Sequence, residues 1–182
     1  EIFGQRLSAA GAPLGVDDFR ISDMGVDGDP LIDAERPSVV YNSADSEYLV
    51  VWAGDDGTAP LVNGESEIWG QRINAATGSE IGDNDFRLSD VGLDGDAFRD
   101  AFEPAVAFAQ GANQYLVIWQ GDDDSYASNQ DEFEIYGQLF ANSVSADVGE
   151  DSRSPWNGDR LQVSPNPMRG VTPVRANRAN AG

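Results

Sequence analysis

The chain has 182 residues, enough for one domain or for a few repeat units sharing a core, and no apolar run approaches the ~20 residues of a membrane-spanning helix. Its formal net charge is -21, from 32 acidic residues against 11 arginines and no lysine, which excludes nucleic acid and anionic lipid as partners because both require clustered positive charge. The absence of histidine and cysteine also excludes a Ser-His-Asp triad, a thiolate nucleophile, a disulfide and a zinc–thiolate site.

Segments rich in branched and aromatic residues return along the chain in a fixed order and predict short strands. EIFGQRL at 1–7 returns as EIWGQRI at 67–73 and as EIYGQLF at 134–140. FRISD at 19–23 returns as FRLSD at 86–90, PSVVY at 37–41 as PAVAF at 104–108, and YLVVW at 48–52 as YLVIW at 115–119. These segments repeat with a period of 67 residues, apart from a one-residue slip between the first two copies of the EI[FW]GQ segment.

One unit is predicted to contain four consecutive short strands joined by hairpins, which is an antiparallel meander. Polar hairpin loops are expected between Tyr41 and Tyr48 and over residues 109–114, and Gly-bearing turns over residues 9–15 and 75–82. No window shows a sustained 3.6-residue apolar period, so no helix is predicted. A single meander leaves one face uncovered, and the units are therefore expected to stack face to face.

The predicted fold class is all-β, with four-stranded antiparallel meander repeats stacked as β-propeller-like blades, about two and a half units in all. The strand containing P-x-V-x-[YF] is expected to be innermost and the strand containing F-R-[IL]-S outermost. The predicted divisions are a partial repeat of outer strands with an acidic loop at 1–36, a full repeat at 37–103, a second, degraded repeat at 104–164 and a tail or linker at 165–182.

The ordered motifs [PS]-x-V-x-[YF], YLV[VI]W, EI[FWY]GQ and FR[IL]S resemble a type of bacterial secreted repeat that looks like β-propeller blades. Such repeats occur in large surface and extracellular proteins, and the resemblance covers about residues 1–164. It implies a propeller-like fold and a secreted or cell-surface location more than it implies an activity. Closed propellers typically have four to eight blades. Several chains would therefore complete a ring, or the chain is part of a longer protein, or the units stack openly.

The longest loop shared by the copies carries four aspartates at identical offsets. They are Asp23, Asp27, Asp29 and Asp33 in the first copy and Asp90, Asp94, Asp96 and Asp100 in the second. Calcium takes six to eight oxygen ligands from flexible loops, and a D-x-D-x-x-x-D pattern lets the chain curl around the ion. The pattern therefore predicts calcium as the cofactor, with these aspartates as its ligands. The alternative is a loop of side-chain-to-backbone turns within a solvated acidic surface.

A second acidic loop follows each YLV[VI]W strand. Asp55 and Asp56 follow the first such strand, and Asp122, Asp123 and Asp124 follow the second. This loop is interpreted either as a second cation site or as a solvated hairpin tip. The tip is the more common outcome for such a sequence.

Aromatic residues, arginines and glycines recur inside the predicted strands. Five aromatic residues are expected to belong to the core between the units, and they are Trp52, Trp69, Trp119, Tyr48 and Tyr115. The alternative is that these residues are platforms on which sugars stack. Arg20 and Arg87 are expected to pair with a neighbouring acid such as Asp18 or Asp85. Glycines within the EI[FWY]GQ strands usually mark a bulge or a close approach of another backbone. They are Gly4, Gly70 and Gly137.

The leading functional hypothesis is a calcium-stabilised extracellular repeat module with a structural, adhesive or assembly role. Its expected partners are other copies of the chain or further repeats of a longer chain. The alternative is a carbohydrate-binding propeller-type lectin with glycans as ligands. A glycoside hydrolase ranks last because a catalytic carboxylate pair is normally unique, whereas nearly every prominent acid here has a copy 67 residues away. The chain is therefore not expected to be an enzyme.

Overall fold

The computed structural model describes residues 1–29, 31–122 and 133–141. Within these ranges the chain contains no helix, and hence none that could span a membrane. The described strands are β1 Phe3–Leu7, β2 Pro13–Arg20, β3 Ala34–Asn42, β4 Glu47–Gly54, β5 Glu67–Asn74, β6 Glu80–Arg87, β7 Ala101–Ala109, β8 Gln114–Gly121 and β9 Glu134–Ala141. The predicted all-β fold is confirmed.

The strands form three antiparallel sheets in which neighbours along the chain are also neighbours in space. The first sheet contains β1 and β2, the second contains β3 to β6, and the third contains β7 to β9. The second sheet is a four-stranded meander with β3 and β6 at its edges. The three described sheets are open, and their arrangement as propeller-like blades stays a prediction.

The fourth strand of each unit begins earlier than the turn residues predict. β2 starts at Pro13 and β6 starts at Glu80, inside the stretches that were expected to be turns. The φ angles of Gly15 and Gly82 are +86° and +82°. Because glycine adopts this left-handed conformation without a steric cost, the strand continues through it as an irregularity. The register of both strand pairs shifts in this region.

The second and third sheets share unusual backbone conformations as well as sequence motifs. Arg36 and Glu103, which are 67 residues apart, have φ angles of 55° and 51°, and Ser46 and Asn113 have 56° and 48°. Non-glycine residues rarely adopt positive φ. The first pair lies where β3 and β7 each shift register, and the second pair lies in the two predicted hairpin loops. The two sheets therefore bend and turn at corresponding places.

The central strands of the second sheet, β4 and β5, are buried on both faces, because their alternating side chains enter two different cores. One core lies between the second and third sheets and includes Leu49, Val51, Ile68, Tyr115, Val117, Trp119 and Tyr136. The other lies between the second and first sheets and includes Val50, Trp52, Trp69, Ile73, Ile2, Ile21 and Met24. The three sheets therefore pack face to face in the part of the chain that the structure describes.

The mid-strand glycine Gly70 marks both a bulge and a close approach. A Cβ atom at Gly70 would lie 3.0 Å from Leu88 Cδ1 and 3.1 Å from the Phe86 ring. The pairing of β5 with β6 shifts register immediately after Gly70. Gly4 is similar, since a Cβ atom there would lie 2.8 Å from Ile21 Cδ1. The bulge is confirmed at these two positions, while the close neighbours are side chains and not another backbone.

Candidate functional site

Two arginines gather several of the predicted calcium ligands. Arg20, the last residue of β2, places Nη1 2.6 Å from Asp27 Oδ1 and Nε 3.2 Å from Asp23 Oδ1. Arg87, the last residue of β6, places Nη1 2.7 Å from Asp94 Oδ1 and Nη2 2.9 Å from Asp90 Oδ1. Four of the eight predicted ligands are therefore ion-paired with these two arginines. The expected pairing with a neighbouring acid is confirmed, but the partners lie in the loop that follows each strand and are not the examples Asp18 and Asp85.

Among the described residues, the side chains of Asp29, Asp33 and Asp96 form no shared site. Asp96 accepts a hydrogen bond from the Phe98 amide and lies 3.8 Å from Arg99, while Asp29 accepts one from the Leu31 amide. These are the side-chain-to-backbone turns of the alternative interpretation. The side chain of Asp33 is exposed. In the ranges 1–29, 31–122 and 133–141, no three acidic side chains are arranged to hold a metal ion. Calcium binding by the eight aspartates stays a prediction.

A glutamate at the start of β5 anchors the Arg87 cluster, and sequence reasoning missed it. Glu67 is fully buried, and its Oε1 lies 2.5 Å from Arg87 Nη2. It also accepts hydrogen bonds from the Ser89 hydroxyl and from the Val91 amide. Glu1 occupies the corresponding place beside Arg20. The signal was available, since the glutamate of EI[FW]GQ and the arginine and serine of FR[IL]S recur together.

Burial makes Glu67 a pH-sensitive element of the fold. It raises the pKa of Glu67 from 4.5 to about 7, although Arg87 and Ser89 stabilise the ionised form. Because the folded state holds this proton more tightly than the unfolded state, the contribution of Glu67 to stability is fully present below pH 4.5. That contribution is lost as the pH rises through about 7.

Replacement of Glu67 by glutamine is therefore expected to remove one component of the pH dependence. The difference in unfolding free energy between the native chain and Glu67→Gln should fall as the pH rises from 4.5 to 7. Its slope should reach at most about 1.4 kcal/mol per pH unit. Urea unfolding of both proteins at intervals between pH 4.5 and 8.5 measures this difference. A difference that is constant over the whole range would contradict the assignment.

Three buried or partly buried carboxylates, Asp55, Glu65 and Asp100, meet around residues 64–66. The Gly64 amide donates to Asp55 Oδ2, and the Ser66 amide donates to Asp100 Oδ1 at 2.9 Å. Glu65 lies between these amides and is fully buried. We call these three residues the Glu65 cluster. It joins the β4–β5 loop to the β6–β7 loop.

The two oxygens of Glu65 differ in their surroundings. Oε2 accepts hydrogen bonds from the Val62 amide at 3.0 Å and from the Gly95 amide at 2.9 Å. Oε1 is buried and has no hydrogen-bond partner among the described residues. Burial raises the pKa of both Asp55 and Asp100. Asp55 and Asp100 were each singled out from the sequence, in different loops, but nothing in the sequence pattern singled out Glu65.

The third sheet exposes apolar side chains on the face opposite its core. Leu116, Ile118 and Ile135 are 38%, 40% and 66% exposed. The residues 67 positions earlier are fully buried between the second and third sheets, and they are Leu49, Val51 and Ile68. We call this surface the third-sheet face. The corresponding face of the second sheet is covered by the third sheet, whereas the third-sheet face is exposed.

The first sheet also exposes apolar side chains, on the face that points away from the second sheet. Phe3 and Leu7 are 60% and 58% exposed, whereas their counterparts 66 residues later, Trp69 and Ile73, are buried against the first sheet. We call the surface formed by Phe3 and Leu7 the first-sheet face. The two end sheets of the described stack therefore each carry an exposed apolar face.

Most of the conspicuous aromatic residues belong to the core. Trp52, Trp69, Trp119 and Tyr115 are buried, and the core interpretation is confirmed for these four. Tyr48 is partly exposed, although its counterpart Tyr115 is fully buried. A sugar platform repeated at equivalent positions would require both members of such a pair to be exposed. These five residues do not provide one.

Several sequence predictions lie outside the described residues. They concern Asp123, Asp124, the part of the degraded repeat over residues 142–164 and the tail or linker at 165–182. Comparison of the chain with protein-family models, with curated proteins and with solved structures gave no match.

Proposed function

We propose that the chain is a structural repeat module of a secreted or cell-surface assembly, which grows by packing one small sheet on the face of the next. The observation that carries this proposal is the third-sheet face. Ile118 and Ile135 are exposed there, while their counterparts Val51 and Ile68 are fully buried between two sheets. Burial of apolar area is the main driving force for association, so this face favours a further sheet as its partner.

The partner that fits best is the first-sheet face of a second copy. In the core between the second and third sheets, Val51 packs in the same cluster as Tyr136. Ile118 is the counterpart of Val51, and Phe3 is the counterpart of Tyr136 in the sequence alignment of the units. A contact between Ile118 and Phe3 of different copies would therefore repeat an interface that already exists within the chain.

Such an interface is head-to-tail, because it joins two different surfaces. Head-to-tail contacts close into rings when the rotation between copies permits, and otherwise they extend as filaments. The high negative charge, -21 in total, opposes non-specific association between copies. The apolar faces would then supply the attraction at one defined place. A lectin function has less support, since four of the five candidate aromatic residues are core.

Sedimentation velocity over a range of protein concentrations tests this proposal. The native chain is expected to associate as the concentration rises, and Ile118→Arg should abolish the association because it places a charge on the third-sheet face. Leu93→Arg is the matched control, since Leu93 is an exposed apolar residue in the β6–β7 loop. It should associate like the native chain. A native chain that stays monomeric at all concentrations would contradict the proposal.

A further inference from the structure

We propose that the Glu65 cluster binds a divalent cation, with calcium as the ion that fits best. The first observation is the buried Glu65 Oε1, which has no hydrogen-bond partner among the described residues. An unsatisfied buried polar atom costs about 1–3 kcal/mol, and more when it is charged. Native structures almost always pair such an atom with protein, water or an ion. A bound cation beside Glu65 would remove this cost.

The second observation is that no arginine among the described residues forms an ion pair with the cluster. Every other buried glutamate in the described residues has such a partner, since Glu47 pairs with Arg72 and Glu67 pairs with Arg87. None of the ion pairs in the described ranges includes Asp55, Glu65 or Asp100. Three carboxylates with no arginine partner repel one another unless a proton or a metal ion neutralises them.

Backbone amides hold each of the three carboxylates, and the bonds of Glu65 and Asp100 cross between the two loops. Asp55 accepts from the Gly57 amide as well as from Gly64, and Asp100 accepts from Ser66. The Ala101 amide also donates to the Ser66 carbonyl at 2.8 Å, which ties the β4–β5 loop to the start of β7. A cation in this cluster would therefore clamp the second sheet to the third.

The donor set selects the class of ion. The chain has no histidine and no cysteine, so only oxygen ligands are available, and these suit calcium or magnesium. Calcium tolerates irregular coordination by loop carboxylates, backbone carbonyls and water, whereas magnesium requires a nearly ideal octahedron. No three acidic side chains in the described ranges already surround one point. Binding therefore requires the carboxylates to shift toward the ion from the positions in which the amides hold them, and calcium tolerates the resulting irregular coordination better than magnesium.

Calorimetric titration with calcium chloride, with thermal unfolding alongside, tests the proposal. Both are done in the Ile118→Arg background, so that a failure of sheet-to-sheet assembly does not affect the result. The parent is expected to bind calcium and to gain thermal stability in proportion to ln(1 + [Ca²⁺]/Kd). Glu65→Gln should lose most of the binding and of the thermal shift. Without calcium it should fold and be at least as stable as the parent, because the glutamine removes a buried charge.

The controls distinguish the Glu65 cluster from the loop predicted from the sequence. Asp27→Asn with Asp29→Asn should keep the calcium-dependent shift, because both residues are exposed and lie outside the cluster. The proposal is overturned if the parent shows no calcium-dependent shift. It is also overturned if Glu65→Gln shows the same shift as the parent, or if the double loop variant alone abolishes it.

Discussion

Replacement of Trp52 by alanine is expected to lower the free energy of unfolding by about 3–5 kcal/mol. Trp52 is fully buried in the core between the first and second sheets. Its indole Nε1 has no hydrogen-bond partner among the described residues, so the loss comes from packing and from the cavity. The first sheet has only two strands and packs on the second through this core. Urea unfolding measures the loss.

Two further variants show whether packing is the cause. Trp52→Phe keeps an aromatic ring in the core and removes an N–H group that has no partner in the described structure, so its cost should be well below that of alanine. Leu93→Ala truncates a residue that is 80% exposed and should change the stability by no more than about 0.5 kcal/mol. A loss below about 1 kcal/mol for Trp52→Ala would contradict the placement of this side chain.

Replacement of Arg87 by methionine is expected to cost about 3–5 kcal/mol at pH 8. The variant keeps the apolar stem of the side chain but leaves the Glu67 carboxylate fully buried without its ion-pair partner. At pH 5 the cost should be smaller, because burial already raises the pKa of Glu67 to about 7 and the carboxyl can be neutral there. Urea unfolding at both pH values measures the two costs.

The chain supplies a matched control for this variant. Arg20 makes the corresponding pair with Glu1, but the Glu1 side chain is 25% exposed and therefore partly solvated. Ion pairs in contact with water contribute about 0–1 kcal/mol, so Arg20→Met should cost much less than Arg87→Met. Equal losses of unfolding free energy in the two variants would contradict the claim that burial of Glu67 causes the larger cost of Arg87→Met.

The strands were predictable because their signals are local. YLVVW at 48–52 and EIWGQRI at 67–73 combine β-branched and aromatic residues with flanking turn residues, and both lie in strands of the second sheet. The hairpin between Tyr41 and Tyr48 was predictable for the same reason. The start of β2 was not, because Pro13 and Gly15 have the composition of a turn although they lie in a strand.

The loop chemistry was only partly predictable, because it depends on contacts between distant segments. Asp94 and Asp90 matched a calcium-ligand spacing, yet the guanidinium of Arg87 lies between them in the folded chain. Glu65 carries no recognisable motif, and it becomes conspicuous only when the β6–β7 loop brings Gly95 and Asp100 beside it. Spacing along the chain indicates the available ligands, but folding decides which charges meet.

The most direct test of sheet-to-sheet assembly is a cross-link between copies. The native chain has no cysteine, so Ile118→Cys and Phe3→Cys can each be made as single-cysteine proteins, mixed, and oxidised, with Leu93→Cys replacing Ile118→Cys in the control mixture. Head-to-tail stacking predicts that the mixed disulfide between Ile118→Cys and Phe3→Cys forms in clear excess over either self-pair and over the control. Equal yields of all pairs would contradict the proposed contact between the third-sheet face and the first-sheet face.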